Sequence, residues 1–163
     1  DRLLLDRLSL DDADFIYCLL NEPSFKAYVG DKGIRTLDDA RQYLRDIVLA
    51  HYAAHGFGLY RVRLKAGETS IGVCGLVKRA QFVDPDLGFA FLCEHWSQGY
   101  AFEASRAVLD AAAREPGMTR IIAMADADNA ASVRLLGKLG FRFTRRVTMA
   151  GDADPVCQYA LEI

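Results

Sequence analysis

The sequence predicts an α/β (α+β) fold: one domain on a central mixed antiparallel/parallel sheet flanked by helices. Three observations carry that expectation. Residues 86–92, Asp-Leu-Gly-Phe-Ala-Phe-Leu, are apolar and aromatic as in a buried strand, and residues 99–113 then set Ala, Phe, Val and Leu at helical spacing. A second β-rich run at residues 119–125 completes a strand, helix and strand unit, expected to be a right-handed parallel crossover. Upstream, residues 57–64 and 70–79 are joined by the Gly-containing turn Lys65-Ala-Gly-Glu-Thr and lead through Asp84-Pro85-Asp86 into residue 86, the pattern of an antiparallel meander.

The remaining elements follow in order. Residues 2–8 alternate and are rich in Leu, as a first strand should be. Ser9 with Asp12 makes a capping box that opens a helix burying Phe15, Ile16, Leu19 and Leu20. Asn21-Glu-Pro-Ser breaks that helix, and residues 21–36, which hold Pro23, Gly30 and Gly33 beside Phe25 and Tyr28, read as a loop with its own aromatic anchors. Thr36 with Asp39 caps the next helix, whose apolar face is Ala40, Tyr43, Leu44, Ile47 and Val48. Gly56 and Gly58 end it. Gly72 and Gly75 mark a bend or bulge within the meander. Beyond Phe141, alternation through Phe143, Val147 and Met149, and again through Cys157, Tyr159 and Leu161, describes a closing hairpin.

Composition narrows the function. A chain of 163 residues with 52% hydrophobic and 26% charged residues reads as one globular domain covering residues 1–163. A net charge of −2, without a Lys/Arg stripe, gives no field for nucleic acid, so none is expected as a partner. No run nears the ~20 apolar residues of a spanning helix and no leader pattern opens the sequence, so no membrane partner and cytoplasmic residence are expected. Beginning at Asp1, the sequence is expected to lack a few leading residues. Cys18, Cys74, Cys93 and Cys157 are scattered without metal-ligand spacing; no metal is expected, and the thiols should be reduced and buried.

The turn between residues 92 and 100 is the first candidate site. Ser97, Gln98 and Gly99 precede a helix whose first N–H groups lack intrahelical partners, and Gly99 lets a ligand approach the main chain. Those donors and the positive end of the helix dipole suit a phosphate. Further on stands Asn129-Ala-Ala-Ser132, and then Leu139-Gly140-Phe141.

Together these stretches resemble the GNAT superfamily of acetyl-coenzyme A-dependent N-acetyltransferases. Trp96-Ser-Gln-Gly-Tyr-Ala is similar to the family's pyrophosphate signature at Gly99 and Ala101, with Trp96 where Arg or Gln is usual. That variant, with Asn129-x-x-Ser132 and Leu139-Gly140-Phe141, resembles the RimJ/RimL-like branch, whose members modify protein N-termini among other amines. Gly72-x-x-Gly75-Leu76 extends the likeness over nearly the whole chain.

The resemblance implies a GNAT-like fold in which two parallel strands splay and acetyl-CoA lies in the gap. It places the backbone of Ser97, Gln98, Gly99, Tyr100, Ala101 and Phe102 on the pyrophosphate. Phe89 and Phe91 would flank the pantetheine arm, and the Phe91 N–H would polarise the thioester carbonyl. Asn129, a helix cap on its own terms, would also touch the pantetheine or the peptide backbone at the splay. Where many members hold a Tyr that protonates the departing thiolate this chain has Leu136, so Ser132, one turn earlier, inherits the role. The base is left open among Asp84, Asp86, Glu94, His95 and Glu103, and Arg134 with Lys138 is available to outlying phosphates. The expectation is transfer of acetyl from acetyl-CoA to a primary amine by a monomer or homodimer; the alternative is a non-catalytic acyl-CoA-binding sensor or scaffold domain.

Overall fold

The computed structural model describes residues 1–163. Its sheet contains β1 (Leu3–Arg7), β2 (Leu59–Leu64), β3 (Ser70–Val77), β4 (Asp86–Phe91), β5 (Arg120–Ala125), β6 (Arg142–Thr148) and β7 (Pro155–Glu162). The strand order is β1-β2-β3-β4-β5-β7-β6, antiparallel throughout except for the parallel step from β4 to β5. The mixed sheet, the meander and the parallel crossover are therefore as the sequence predicts. Helices α5 (Tyr100–Ala112) and α6 (Ala130–Lys138) cover one face. On the other lie α1 (Ala13–Asn21), α2 (Pro23–Tyr28), α3 (Leu37–Tyr43) and α4 (Ala50–His55).

Alternation of side chains divides the core. Val62, Ile71, Ile121 and Leu136 pack with α5 and α6, while Leu19, Leu44 and Tyr52 pack on the opposite face with Val73. Each fully buried Leu or Ile contributes about 1.5–3 kcal/mol. Both capping boxes form: Ser9 and Asp12 cap a short 3-10 turn, Leu10–Asp12, that runs into α1, and Thr36 and Asp39 cap α3.

Three expectations are corrected. Residues 23–28, read as loop, form α2, because Pro23 is the first residue of a new helix as well as the end of α1; its fixed φ suits that position. Ile47, assigned to an apolar face, is 56% exposed. The chain is π-helical from Leu44 to Leu49 between α3 and α4, and the wider turn shifts the helical phase past Ile47. Of the four free cysteines, Cys74 and Cys157 are buried as expected, but Cys18 and Cys93 are exposed.

The closing hairpin inserts its second strand. β7, with Cys157, Gln158 and Ala160 buried, pairs with β5, and β6 takes the edge. Arg142, Thr144, Arg145 and Arg146 on β6 are exposed, a charge pattern suited to an edge that should not pair further.

Candidate active site

The sheet opens between β4 and β5. These strands are in register only at Asp86 and Ile122. Asp86, 3% exposed, sits at the branch: its carboxylate accepts Arg79 Nε–H at 2.6 Å and the backbone N–H of Met124 on β5. Burial raises its pKa, outweighing Arg79 and the Met124 hydrogen bond.

Register also decides which groups face the gap. Leu92 donates its N–H to the Ile71 carbonyl at 2.9 Å, toward β3. Since backbone groups alternate along a strand, Phe89 and Phe91 turn their N–H and C=O toward β5. The Trp96 indole Nε1–H donates to the Phe91 carbonyl at 2.8 Å, which leaves the N–H groups of Phe89 and Phe91 directed into the opening.

The turn into α5 supplies the other donors. Ser97 and Gly99 have φ of 60° and 81°. No side chain caps α5, and Glu103 is the residue whose N–H returns to the Gly99 carbonyl, at 3.0 Å. The N–H groups of Tyr100, Ala101 and Phe102 are therefore first-turn donors without helical acceptors. A Cβ on Gly99 would stand 3.4 Å from Arg2 Nη2, so what demands glycine here is the left-handed backbone. Arg2 clasps the turn from outside. It donates from Nη1 to the Gln98 carbonyl at 3.1 Å and from Nε to Glu103 Oε2 at 2.8 Å, with its guanidinium 4.5 Å above the Tyr100 ring.

A cavity of about 700 Å³ joins the gap to this turn. Phe89, Ala90 and Phe91 of β4 line it, as do His95, Trp96 and Ser97 of the turn. Gly99, Tyr100, Ala101 and Phe102 form the α5 side. From α6 and its cap come Asn129 and Ser132, with Arg134 and Lys138 further along. Phe91 belongs to the core under α5 and α6 while Ala90 packs toward α1–α4, so the cavity reaches through the sheet.

Nine of the ten residues singled out from the sequence thus share one cavity wall. Gln98 is the exception, its side chain donating outward to the Glu94 carbonyl at 3.2 Å. Asn129 accepts the Ser132 N–H on its side-chain oxygen at 3.1 Å, the expected cap, so its remaining side-chain function is the NH2 donor. Leu136 is fully buried and belongs to the core. Among the five acid–base candidates only His95 lines the cavity. Its Nε2 is buried without a hydrogen bond, 3.4 Å from Glu94 Oε1. Asp86 is held by Arg79, Glu103 by Arg2, and Asp84 lies 3.6 Å from Arg120.

Sequence reasoning gave the segment 21–36, with Phe25 and Tyr28, to acceptor recognition but read it as loop and missed the helix α2. Ser24, Phe25, Tyr28 and Val29 also line the cavity, and Ser24 Oγ lies 3.2 Å from Cys93 Sγ just beyond β4. The signal for the helix itself was Pro23, which suits a first helical position as well as a break. Arg2 was invisible, since its partners lie about a hundred positions away in the chain.

A family model for the acetyltransferase (GNAT) domain matches residues 2–142. The chain belongs to this family and is an acetyltransferase of GNAT type. It is 28% identical over 155 residues to the uncharacterized protein YkkB of Bacillus subtilis, covering 90% of this chain and 88% of that one. Its fold is similar to that of spermidine N-acetyltransferase from Vibrio cholerae in complex with CoA and spermine, with a TM-score of 0.80 at 17% identity over 99% of this chain and 95% of that one. Similarity of the same degree, TM-score 0.80 and 17% identity over 99% and 94% of the two chains, extends to RimL, a ribosomal L7/L12 alpha-N-protein acetyltransferase in complex with coenzyme A.

Proposed function

We propose that this chain is an acetyl-CoA-dependent N-acetyltransferase of RimJ/RimL-like character, acting on a primary amine of a peptide N-terminus or small molecule, and residing in the cytoplasm. The observation that carries the reading is the open splay of β4 and β5, with unpaired strand N–H groups at one end of the cavity and the α5 N-terminus at the other. Acetyl-CoA, when bound, supplies the acetyl group as an activated thioester.

The residues fit that molecule part by part. Phosphate oxygens are accommodated by the N–H groups of Tyr100, Ala101 and Phe102 beside Ser97 and Gly99, with Arg134 and Lys138 as outlying cations. The β4 edge at Phe89 and Phe91 suits an extended amide-bearing arm, and Asn129 offers its NH2 from the facing side. The Phe91 N–H is the oxyanion donor, and Trp96 steadies its peptide plane by holding the carbonyl of the same residue. The hydroxyl of Ser132 gives a proton to the departing sulfur, since buried Leu136 cannot. The amine attacks directly. Cys93, the one exposed thiol near the gap, has its pKa raised, chiefly by a hydrogen bond with Glu22, the opposite of what a nucleophilic thiolate needs.

Leu136 and the single cavity-lining base candidate, His95, keep one rival in view: a binding domain for acyl-CoA without turnover. Calorimetric titration with acetyl-CoA, followed by thiol release against a panel of amines, separates the two. Binding with amine-dependent release supports the enzyme, binding with none supports the sensor, and absence of binding removes both.

A further inference from the structure

We infer that the acceptor is a primary amine on an uncharged, apolar stem, received by the α2 wall of the cavity. The inference rests on the acetyltransferase reading and extends it by naming the chemistry of the stem.

On the α1–α4 side of the sheet the wall is Phe25, Tyr28 and Val29. Tyr28 is 43% exposed and Val29 49%, although both are large apolar side chains. Trp96 and Phe102 are the cavity's other exposed hydrophobics, so four of the eight on the whole molecule border this one space. Such a concentration marks a surface that gains by being covered. The pyrophosphate turn accounts for Trp96 and Phe102, which belong to it. Nothing in that turn accounts for Tyr28 and Val29, which face the opening from across the sheet.

Charge excludes the opposite class. The charged side chains on the wall, Arg134 and Lys138, are both cations, and no carboxylate lines the cavity. The acids flanking α2 in the chain, Glu22 and Asp31, are not among the residues that line the cavity. Asp31 is also paired already, taking both terminal nitrogens of Arg35, at 3.0 and 2.6 Å, and the Gly33 N–H at 2.9 Å. A polyamine or aminoglycoside would bring further ammonium groups that must be desolvated here without a partner. An apolar stem meets Phe25, Tyr28 and Val29 and loses nothing.

The test uses the whole chain, with acetyl-CoA held above the dissociation constant measured by calorimetry. Thiol release is followed with 2-phenylethylamine, a tripeptide with an N-terminal leucine, spermidine and kanamycin. We expect kcat/KM for at least one apolar amine to exceed that for either polycation by ~10-fold or more, the discrimination one filled apolar subsite supplies. Preference between the first two tells a small amine from a peptide N-terminus. Tyr28→Ala should raise KM for the preferred amine about 10-fold with the acetyl-CoA dissociation constant unchanged, and Tyr28→Phe should restore it. Equal or better use of spermidine or kanamycin overturns the inference, as does bound acetyl-CoA with no release by either apolar amine. Failure to bind acetyl-CoA overturns the acetyltransferase reading itself, a result visible in the calorimetry before any amine is added.

Discussion

At Gly99 a single backbone angle decides whether α5 can present its first N–H groups. With φ of 81° and only the flexible end of Arg2 within 3.4 Å of a Cβ, the position tolerates a side chain by volume but not a β-branched one by conformation. Gly99→Val should therefore abolish acetyl-CoA binding in a calorimetric titration, at a local strain of about 1–3 kcal/mol. Gly99→Asn, which enters the left-handed region more readily, should retain most of the affinity. Equal loss in both would mean that bulk rather than backbone angle matters. Ser132 makes a different kind of claim. As the proposed proton donor it would act after binding, so Ser132→Ala should lower kcat by about 100-fold with acetyl-CoA affinity nearly unchanged. An unaltered turnover would assign the proton elsewhere, and His95 would be the next residue to change.

The splay is a property of elements. β4 and β5 begin as a parallel pair and part after one register position, and the Asp86 carboxylate accepts the Met124 N–H at the branch. Asp86→Ala would leave that N–H unsatisfied in a buried place, at about 1–3 kcal/mol, while Asp86→Asn keeps an acceptor and should cost less. Arg79 is 44% exposed and can return to water in either variant. Chemical denaturation of the three proteins checks the order; Asn as damaging as Ala would point to the Arg79 ion pair instead. In the sequence residue 86 reads as the end of a turn, the first residue of the 86–92 strand and one of five base candidates, but not as an acceptor at a branch. Its acceptor role depends on β5, which joins the sheet after a helix of 13 residues.

Across the whole molecule, burial sorts the thiols. Burial pushes the Cys74 thiol up to about 12 despite its hydrogen bond with Ser105, while Cys18 and Cys93 are exposed. Native protein at pH 8 should release two thiols' worth of colour with a disulfide reagent and four after unfolding. The linkage has a definite sign. The folded value lies above the unfolded 9.0, so this contribution to stability is complete below pH 9 and is lost as pH rises toward 12, where the unfolded chain ionises and the folded one resists. Thermal melts between those limits check it.

Local physics was legible in the chain before any coordinates. Both capping boxes, the turns of the meander and the Gly99 turn depend on neighbours a few residues apart, where propensity and hydrogen-bonding geometry act directly, and the crossover follows from the order strand, helix, strand. By itself the sequence thus determined the mixed α/β sheet, the place of the phosphate-type turn and the cap at Asn129. Tertiary structure alone decided the rest: β7 between β5 and β6, the clasp of Arg2 on the turn, the removal of Leu136 into the core, and α2 as the far wall of the cavity. Each of these joins segments from tens to about a hundred residues apart, and packing, unlike local propensity, is settled only when all of the partners are in place.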